Sequence, residues 1–147
     1  MNPTVIIGGT GTLGREIARQ NPTSDITIFS RDEMKQHEMR REWPNFRYVL
    51  GDVRDRHAVR DVVRGAETVF LLAAIKHVEA AEKNPLEAVR TNIMGAVNVA
   101  EEASAANVQH VVFSNTDKAV LPITTYGYTK AIAQNYLLSR NEDAGGP

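Results

Sequence analysis

Short apolar runs rich in β-branched residues alternate along the chain with longer segments in which apolar residues recur at helical spacing. The runs at 4–7, 26–29, 46–50, 68–74 and 110–114 predict five strands. The segments at 15–20, 33–42, 56–64, 85–106 and 125–140 predict the helices. Strand and helix therefore alternate, which predicts an α/β fold. Right-handed crossovers should build one parallel sheet with the strand order 3-2-1-4-5.

The length of 147 residues fits one domain, expected over residues 1–140. Residues 141–147 are polar and glycine-rich and are expected to form a loose tail. The run at 68–74 (TVFLLAA) is almost continuously apolar, which is typical of a central parallel strand covered on both faces.

Composition and charge give no support for nucleic-acid binding, membrane binding or thiol chemistry. Hydrophobic residues make up 42% and charged residues 24%, as in ordinary globular domains. A net charge of -1 gives no reason to expect binding to nucleic acid or to an anionic membrane. The chain has no cysteine, so neither disulfides nor thiol chemistry is expected. We see no signal peptide and no membrane span, which favours a cytoplasmic protein.

Three glycines follow the first predicted strand at regular spacing. Gly8, Gly11 and Gly14 lie between that strand and a predicted helix. Glycine permits a tight turn, close approach of the backbone to a pyrophosphate and close packing of helix on strand. Phosphates would then rest on the free amides at the helix N-terminus. The pattern favours a dinucleotide site over a purely structural turn.

The ends of the second and third strands bear on which dinucleotide binds. Ser30 and Arg31 stand where an acid would bind the ribose hydroxyls of NAD, and they suit a 2′-phosphate better. NADP is therefore favoured over NAD, although Asp32 and the residue after it could reach the ribose after a small loop shift. Asp52 has two equally supported interpretations, as a contact to the adenine edge or as the N-cap of the helix at 56–64.

Residues later in the chain are also expected at the dinucleotide site. The small residues Ala73 and Ala74 would leave room for a ribose and nicotinamide. Asn92 lies among apolar neighbours in the long helix, where it either holds backbone or water near the site or faces solvent. His77 has no partner at metal-site spacing, so no metal site is predicted.

Groups suited to proton transfer follow the fifth strand. Tyr126 and Lys130 are four residues apart, which places them on one helix face, where the ammonium can stabilise a phenolate. Thr116, Asp117 and Lys118 supply a hydroxyl, an acid and an amine before them. Taken alone, the first pair could be a packed aromatic beside a solvated lysine, and the second group a simple turn or cap. The predicted sheet, however, brings both groups to the edge that carries the glycine turn.

Five segments together resemble the extended short-chain dehydrogenase/reductase superfamily, and more closely the UDP-N-acetylglucosamine 4,6-dehydratases and related polysaccharide-biosynthesis proteins. The segments are GGTGTLG, FSRDE, GDVRD, AAIKHVEAAEKNPLEAVRTNIMGAVNV and TDKAVLPITTYGYTK. The resemblance runs from Val5 to about Leu138. It implies a Rossmann-like doubly wound sheet, truncated before the substrate lobe with which the family continues. Asn115 and Tyr128 depart from the family pattern.

The resemblance also implies residue roles. Tyr126 would deprotonate the sugar 4-hydroxyl while hydride passes from C4 to NADP, and Lys130 would lower the pKa of Tyr126 and bind the nicotinamide ribose. Lys118 would remove the C5 proton, Asp117 would protonate the departing C6 hydroxyl, and Thr116 would bind the sugar near C4. The residues expected at the cofactor are Gly8, Thr10, Gly11, Thr12, Leu13, Gly14, Ser30, Arg31, Asp52, Val53, Ala73, Ala74, Lys76, Asn92, Tyr126 and Lys130.

Several hypotheses remain open at this point. The first is a dehydratase acting on UDP-N-acetylglucosamine or a related nucleotide-sugar, alone or with a separate chain that supplies the substrate lobe. The second is a non-catalytic NADP-binding module. An epimerase or reductase of the same superfamily is a further possibility. The two long helices, 85–106 and 125–140, have the apolar character of a helix-pair interface, which predicts a homo-oligomer.

Overall fold

A computed structural model describes residues 2–143 and contains one parallel five-stranded sheet in the predicted order β3-β2-β1-β4-β5. The strands are β1 (Thr4–Ile7), β2 (Ile26–Ser30), β3 (Arg47–Leu50), β4 (Thr68–Leu71) and β5 (His110–Phe113). In register, Ile7 lies beside Phe29 and Leu71, and Leu71 lies beside Phe113. The residues that follow these strands therefore leave the sheet along one carboxyl edge, as predicted for an α/β fold.

Helices cover both faces of the sheet. They are α1 (Thr12–Gln20), α2 (Glu33–Glu42), α3 (Arg56–Val63), α4 (Val78–Lys83), α5 (Pro85–Ala88), α6 (Gly95–Ala105) and α7 (Thr125–Asp143). A π-helical segment, Val89–Met94, joins α5 to α6, so the predicted helix at 85–106 is continuous but contains a widened turn. The short helix α4 was not predicted. Helix α7 extends to Asp143, past its predicted end at 140, and residues 144–147 of the predicted tail lie outside the described residues.

The core lies on the two faces of β1 and β2, whose residues are buried throughout. Because side chains alternate along a strand, Ile6 faces α1 and α2, where it packs with Ala18, Ile28 and Met39. The other face buries an apolar cluster that includes Val5, Ile7, Val59, Leu71 and Val99, between the sheet and helices α3 and α6. Burial of each large side chain contributes about 1.5–3 kcal/mol. This packing holds β1, and hence the glycine turn after it, rigidly in place.

The predicted complete cover of β4 is wrong. Val69 and Leu71 are buried, but Thr68 and Phe70 are half-buried, and the strand ends at Leu71. Its neighbour β5 has its first three residues exposed, including Val111 and Val112. Within residues 2–143 the sheet is thus fully covered on the β1–β2 side and only partly on the β4–β5 side. No helix among the described residues is both long and apolar enough to cross a membrane.

Candidate active site

The turn between β1 and α1 is packed so tightly that two of its glycines cannot carry a side chain. Gly8 has φ +83, and a Cβ there would lie 2.6 Å from Ala73 N. A Cβ at Gly14 would lie 2.2 Å from Gly9 O. Gly11 caps α1 without any side-chain hydrogen bond, so the first amides of the helix stay open to a ligand. A backbone cradle of this kind fits the pyrophosphate of a dinucleotide.

A cavity of about 720 Å³ opens beside this turn along the strand ends. Its walls include Gly8, Ser30, Arg31, Gly51, Val53 and Ala73. Its volume is within the usual range for small-molecule sites.

Thr91, from the π-helical segment, also lines the larger cavity, and the Thr91 hydroxyl is buried without a hydrogen-bond partner among the described residues. A buried hydroxyl without a partner suggests that a ligand supplies one. Sequence reasoning missed Thr91, because nothing local distinguishes it from Asn92 beside it.

The tip of β2 is held by α2. Gln36 Nε2 donates to Ser30 Oγ at 3.0 Å and to Val49 O at 2.8 Å. Asp32 caps α2 by accepting from Lys35 N at 3.0 Å, and its carboxylate lies 3.1 Å from Lys35 Nζ. These bonds lower the pKa of Asp32, the backbone bond from Lys35 most of all. Asp32 is therefore engaged with its own helix, although it lines the cavity together with Ser30, Arg31 and Glu33.

Asp52 does not cap α3. The N-cap is Asp55, which accepts from His57 N and Ala58 N, so that interpretation of Asp52 is wrong. Asp52 instead accepts from Arg54 Nε at 2.9 Å and lies 3.6 Å from the Arg31 guanidinium. Burial alone would raise the pKa of Asp52, but the bonds from Arg54 outweigh it and the pKa is lowered. Its place is therefore that of a counter-ion behind Arg31.

A smaller cavity of about 230 Å³ joins the glycine turn to the start of α7. Gly8, Gly14 and Ala74 line one side of it, and Tyr126 and Lys130 line the other. Thr12, Leu13 and Lys76 also border it, while Thr10 lines the larger cavity. The structure thus brings together the two distant segments that the sequence placed at one sheet edge.

Lys130 is almost fully buried, with 3% exposure. Its ammonium donates to Ser114 O at 2.6 Å and lies 3.9 Å from the centre of the Phe113 ring. Burial lowers the pKa of Lys130 to about 8, so the side chain still carries its charge at neutral pH. Tyr126 is also buried, packing on Ala81 and Ala88 while it lines the smaller cavity. A cation and a phenol therefore border one enclosed space.

Two long-range contacts position helix α7. Asn92, predicted at the cofactor, is buried and bonds Ile75 N at 2.8 Å, Ile75 O at 3.0 Å and Thr129 Oγ1 at 2.9 Å. It lines neither cavity, so the structure places it behind the site, holding backbone, and its solvent-facing interpretation is wrong. Glu82 of α4 accepts from Thr125 N at 2.6 Å and from Thr125 Oγ1 at 3.0 Å. Sequence reasoning missed Glu82, since its partner is 43 residues away.

Asp117 and Lys118 are exposed on a 3₁₀ turn that the half-buried Thr116 caps, and none of the three lines either cavity described above. Thr116 Oγ1 donates to Asp117 Oδ1 at 3.0 Å, and Lys118 Nζ lies 3.6 Å from the same oxygen. The hydroxyl of Thr116, followed by the charge of Lys118, lowers the pKa of Asp117. The turn nevertheless contacts α7, because a Cβ at Gly127 would lie 2.3 Å from Lys118 O.

No group of metal-binding side chains is present among the described residues.

Comparison with known proteins gives one family and several relatives. The sequence profile of the polysaccharide biosynthesis protein family matches residues 4–146. The chain is 39% identical over 147 residues to UDP-N-acetylglucosamine 4,6-dehydratase (inverting) of Campylobacter jejuni, covering 96% of this chain and 44% of that protein. It is 38% identical over 145 residues to UDP-glucose 4-epimerase of Rickettsia bellii, covering 92% and 42%. The chain therefore spans less than half the length of these relatives.

Solved structures give the same picture. The X-ray structure of Pen from Bacillus thuringiensis matches with a TM-score of 0.94 at 36% identity, covering 98% of this chain and 48% of that one. UDP-N-acetylglucosamine 4-epimerase from Methanobrevibacter ruminantium matches with a TM-score of 0.89 at 23% identity, covering 99% and 52%. The second match shows a shared fold.

Proposed function

Because the chain belongs to the polysaccharide biosynthesis protein family, a nucleotide-sugar dehydratase and epimerase family, we propose that it forms the NADP-binding and proton-transfer part of a nucleotide-sugar 4,6-dehydratase. The proposed substrate is UDP-N-acetylglucosamine or a close relative. The observation that carries the proposal is the smaller cavity, in which the glycine turn and the Tyr126–Lys130 pair face each other.

NADP fits the residues that line the larger cavity. Gly8 and Gly11 line this cavity, and the first amides of α1 are open to a pyrophosphate. The Thr91 hydroxyl, which has no partner among the described residues, offers the pyrophosphate or the adjoining ribose a hydrogen bond. Arg31 supplies a cation beside Ser30, and of the two acids that line the cavity, Asp32 and Glu33, Asp32 is engaged as a helix cap. A site with this charge pattern favours a 2′-phosphate over a bare ribose.

Different residues would carry out the successive steps of the dehydration. Bound NADP+ would accept hydride from sugar C4 and return it to C6. Tyr126 would act as a phenolate, which the buried charge of Lys130 would stabilise, and would take the proton of the 4-hydroxyl to become a neutral phenol. Ketone formation at C4 acidifies C5–H. Lys118 would then remove the C5 proton, and Asp117 would give a proton to the C6 hydroxyl as it leaves as water. As hydride returns to C6, Lys118 would return a proton to C5 after exchange with solvent. Transfer through solvent of the proton held by Tyr126 to Asp117 would restore the starting state.

In the free chain Asp117 lacks the proton that it must donate in this step, whereas Lys118 still carries one. The lowered pKa of Asp117 keeps it a carboxylate, next to the Lys118 ammonium 3.6 Å away. Elimination needs neutral Lys118 and protonated Asp117, which is the same pair with its proton moved across. Bound sugar that excludes water would favour this neutral pair, because desolvation disfavours both charges.

A decisive test incubates the chain with NADP+ and UDP-N-acetylglucosamine in deuterated water and analyses the sugar nucleotide by mass spectrometry. Dehydration would give a product that has lost water and carries one solvent deuterium at C5. Epimerisation would give an isomer of unchanged mass without deuterium, which chromatography before the mass measurement separates from unreacted substrate. Tyr126→Phe, which removes only the hydroxyl, is the matched control and should give neither product.

A second candidate is a non-catalytic NADP-binding module. The exposure of Asp117 and Lys118 on a turn outside both cavities favours it. This candidate predicts calorimetric binding of NADP+ together with an unchanged sugar nucleotide in the mass-spectrometric test. Addition of a chain that supplies the remainder of a relative's length would then restore product only if the first proposal is right.

Self-association remains a proposal. Leu86 and Ile132 are exposed on α5 and α7, and Val89 is exposed on the π-helical segment between α5 and α6. These apolar side chains support the predicted homo-oligomer through the two long helical segments. A monomeric mass at micromolar concentration in analytical ultracentrifugation would contradict it.

A further inference from the structure

The Ser30 hydroxyl at the tip of β2 is oriented by a residue that is itself remote from the cavity. Ser30 is 8% exposed and Gln36 is 7% exposed, so both are buried. Ser30 lines the larger cavity, whereas Gln36 does not. Gln36 Nε2 contacts three oxygens, namely Val49 O at 2.8 Å, Ser30 Oγ at 3.0 Å and Ser30 O at 3.2 Å.

The two carbonyls fix which end of the Gln36 amide faces Ser30. An amide oxygen in that position would face two carbonyl oxygens with no proton between them, so the nitrogen must lie there. The nitrogen has two protons for its three oxygen contacts, so one proton is shared between the two oxygens of Ser30, and toward Ser30 Oγ the nitrogen can act only as a donor. Ser30 consequently keeps its own proton free, and within residues 2–143 its hydroxyl makes no other hydrogen bond.

A hydroxyl that accepts one hydrogen bond becomes a better donor in the next, because the bonds polarise each other. The free proton of Ser30 therefore suits a group that only accepts hydrogen bonds, and most of all an anion. The charges that line the same cavity are mixed, with Arg31 and Lys35 beside Asp32 and Glu33. Asp32 is engaged as the cap of α2, so Arg31 remains a cation available to an anionic ligand.

We propose that Gln36 is a positioning residue for cofactor selectivity, which holds the Ser30 hydroxyl as a donor toward the 2′-phosphate of NADP. This inference rests on the proposed function, because it assumes that the larger cavity takes the adenosine half of the cofactor. Gln36 acts through Ser30 and does not itself contact the ligand.

The test compares binding of NADP+ and NAD+, which differ only by the 2′-phosphate, by isothermal titration calorimetry. The wild-type chain should prefer NADP+ by about tenfold or more, as expected for charge-assisted bonds. Gln36→Met keeps the length of the side chain and removes the donor, and it should reduce that preference about threefold to tenfold with NAD+ affinity little changed. Gln20→Met, at an exposed position on α1, is the matched control and should change neither affinity.

A double-mutant cycle separates positioning from general support. Gln36→Met should have no further effect on the preference in a chain that already carries Ser30→Ala, because the hydroxyl through which it acts is gone. A merely structural role, through the bond to Val49, would instead weaken both cofactors equally and would persist in the Ser30→Ala background. That result would overturn the inference.

The outcomes also separate this inference from the proposed function. If the wild-type chain binds neither cofactor, both fail. A preference for NADP+ that is unchanged by Gln36→Met leaves the function standing and overturns the role of Gln36. Should Gln36→Met not fold, NMR of the wild-type chain gives the answer. The Gln36 side-chain amide signals should shift with adenosine 2′,5′-bisphosphate and not with adenosine 5′-monophosphate, and equal shifts with both would contradict the inference.

Discussion

The turn after β1 and the turn after β5 both leave the sheet at its carboxyl edge and lead toward helices that border the smaller cavity. In the first turn, close backbone contacts leave no room for a Cβ at Gly8 or Gly14. In the second, Asp117 and Lys118 are exposed and bond mainly to their sequence neighbours. The first turn is thus preformed by packing, and the second carries reactive groups that packing does not fix.

This contrast matches the two tasks proposed for the site. A cradle for phosphates gains affinity from rigidity, since no ordering is required on binding. Groups that must meet a sugar can remain open until the sugar covers them. The start of α7 is intermediate, because Tyr126 and Lys130 are buried but held by a few long-range hydrogen bonds. The expected effects of mutation should therefore decrease from the glycine turn, through α7, to the turn after β5.

Gly14→Ala should have the largest effect. Its Cβ would lie 2.2 Å from Gly9 O and 2.6 Å from Gly9 C, both backbone atoms that cannot move without displacing α1 from β1. We expect a loss of more than about 3 kcal/mol in the free energy of unfolding, measured in urea.

Gly11→Ala is the matched control. Its nearest neighbour would be Gly8 O at 3.4 Å, an ordinary contact, so stability should change by less than about 1 kcal/mol. NADP+ affinity should nevertheless fall, because Gly11 lines both cavities. Equal destabilisation by the two substitutions would show that the turn is not held by close packing.

The buried charge of Lys130 gives a pH dependence. Its pKa is about 8 in the folded chain against 10.5 as the ordinary value, so the unfolded chain binds the proton more tightly. Between about pH 8 and 10.5 the unfolded chain keeps a proton that the folded chain has lost. Stability should therefore rise across this interval, relative to Lys130→Met, by no more than about 3 kcal/mol. Urea unfolding of both chains at several pH values measures the difference.

A loss of stability of the wild-type chain relative to Lys130→Met above about pH 10.5, with no gain between pH 8 and 10.5, would mean that the bonds to Ser114 and Phe113 raise the pKa more than burial lowers it. The pKa of Lys130 also has a consequence for the proposed function. Above about pH 8 the side chain loses its charge, so the cation that would stabilise the Tyr126 phenolate is lost.

Asn92→Ala should destabilise the chain by about 2 kcal/mol, because it leaves the backbone N–H and C=O of Ile75 without partners and removes one of the two bonds of the Thr129 hydroxyl, which keeps its bond to Tyr126 O. The exposed residue Asn45 on the opposite side of the sheet, which bonds only Pro22 O, provides a control. Asn45→Ala should change the free energy of unfolding by less than about 1 kcal/mol. Similar losses for the two variants would argue against a special role for Asn92.

The sequence predicted those features that depend on local pattern. The glycine spacing, the five strands and the sheet order follow from residues close together in the chain, and the structure agrees with them. The supports of α7 were not predictable in this way. Asn92 bonds residues 17 and 37 positions away, and Glu82 bonds Thr125 across 43 positions.

Local pattern also failed where two like residues compete for one role. Asp52 and Asp55 both precede α3, and capping geometry alone selects Asp55. Similarly, the apolar run at 68–74 looks uniformly buried in sequence, but its last three residues leave the strand to line the cavities. The apolar residues of that segment therefore include residues that line the cavities as well as residues of the core.

Glu82→Ala tests the outer support of α7. Loss of the cap on Thr125 should cost about 1 kcal/mol in the free energy of unfolding. Glu79→Ala, on the same helix, removes only an exposed pair with Lys83 and should cost less than about 0.5 kcal/mol. An equal effect of the two substitutions would indicate that the bond to Thr125 contributes nothing to α7.

Asp117→Asn should have the smallest effect on the fold. Its carboxylate is 89% exposed and its hydrogen bond comes from the adjacent Thr116, so the free energy of unfolding should change by less than about 0.5 kcal/mol. NADP+ affinity should also be unchanged, because Asp117 lines neither cavity. Under the proposed function the same substitution should abolish the deuterium-labelled dehydration product, since an amide cannot protonate the leaving hydroxyl. A chain that lost stability or cofactor affinity here would instead show that the turn after β5 is built, like the turn after β1, as part of the binding framework.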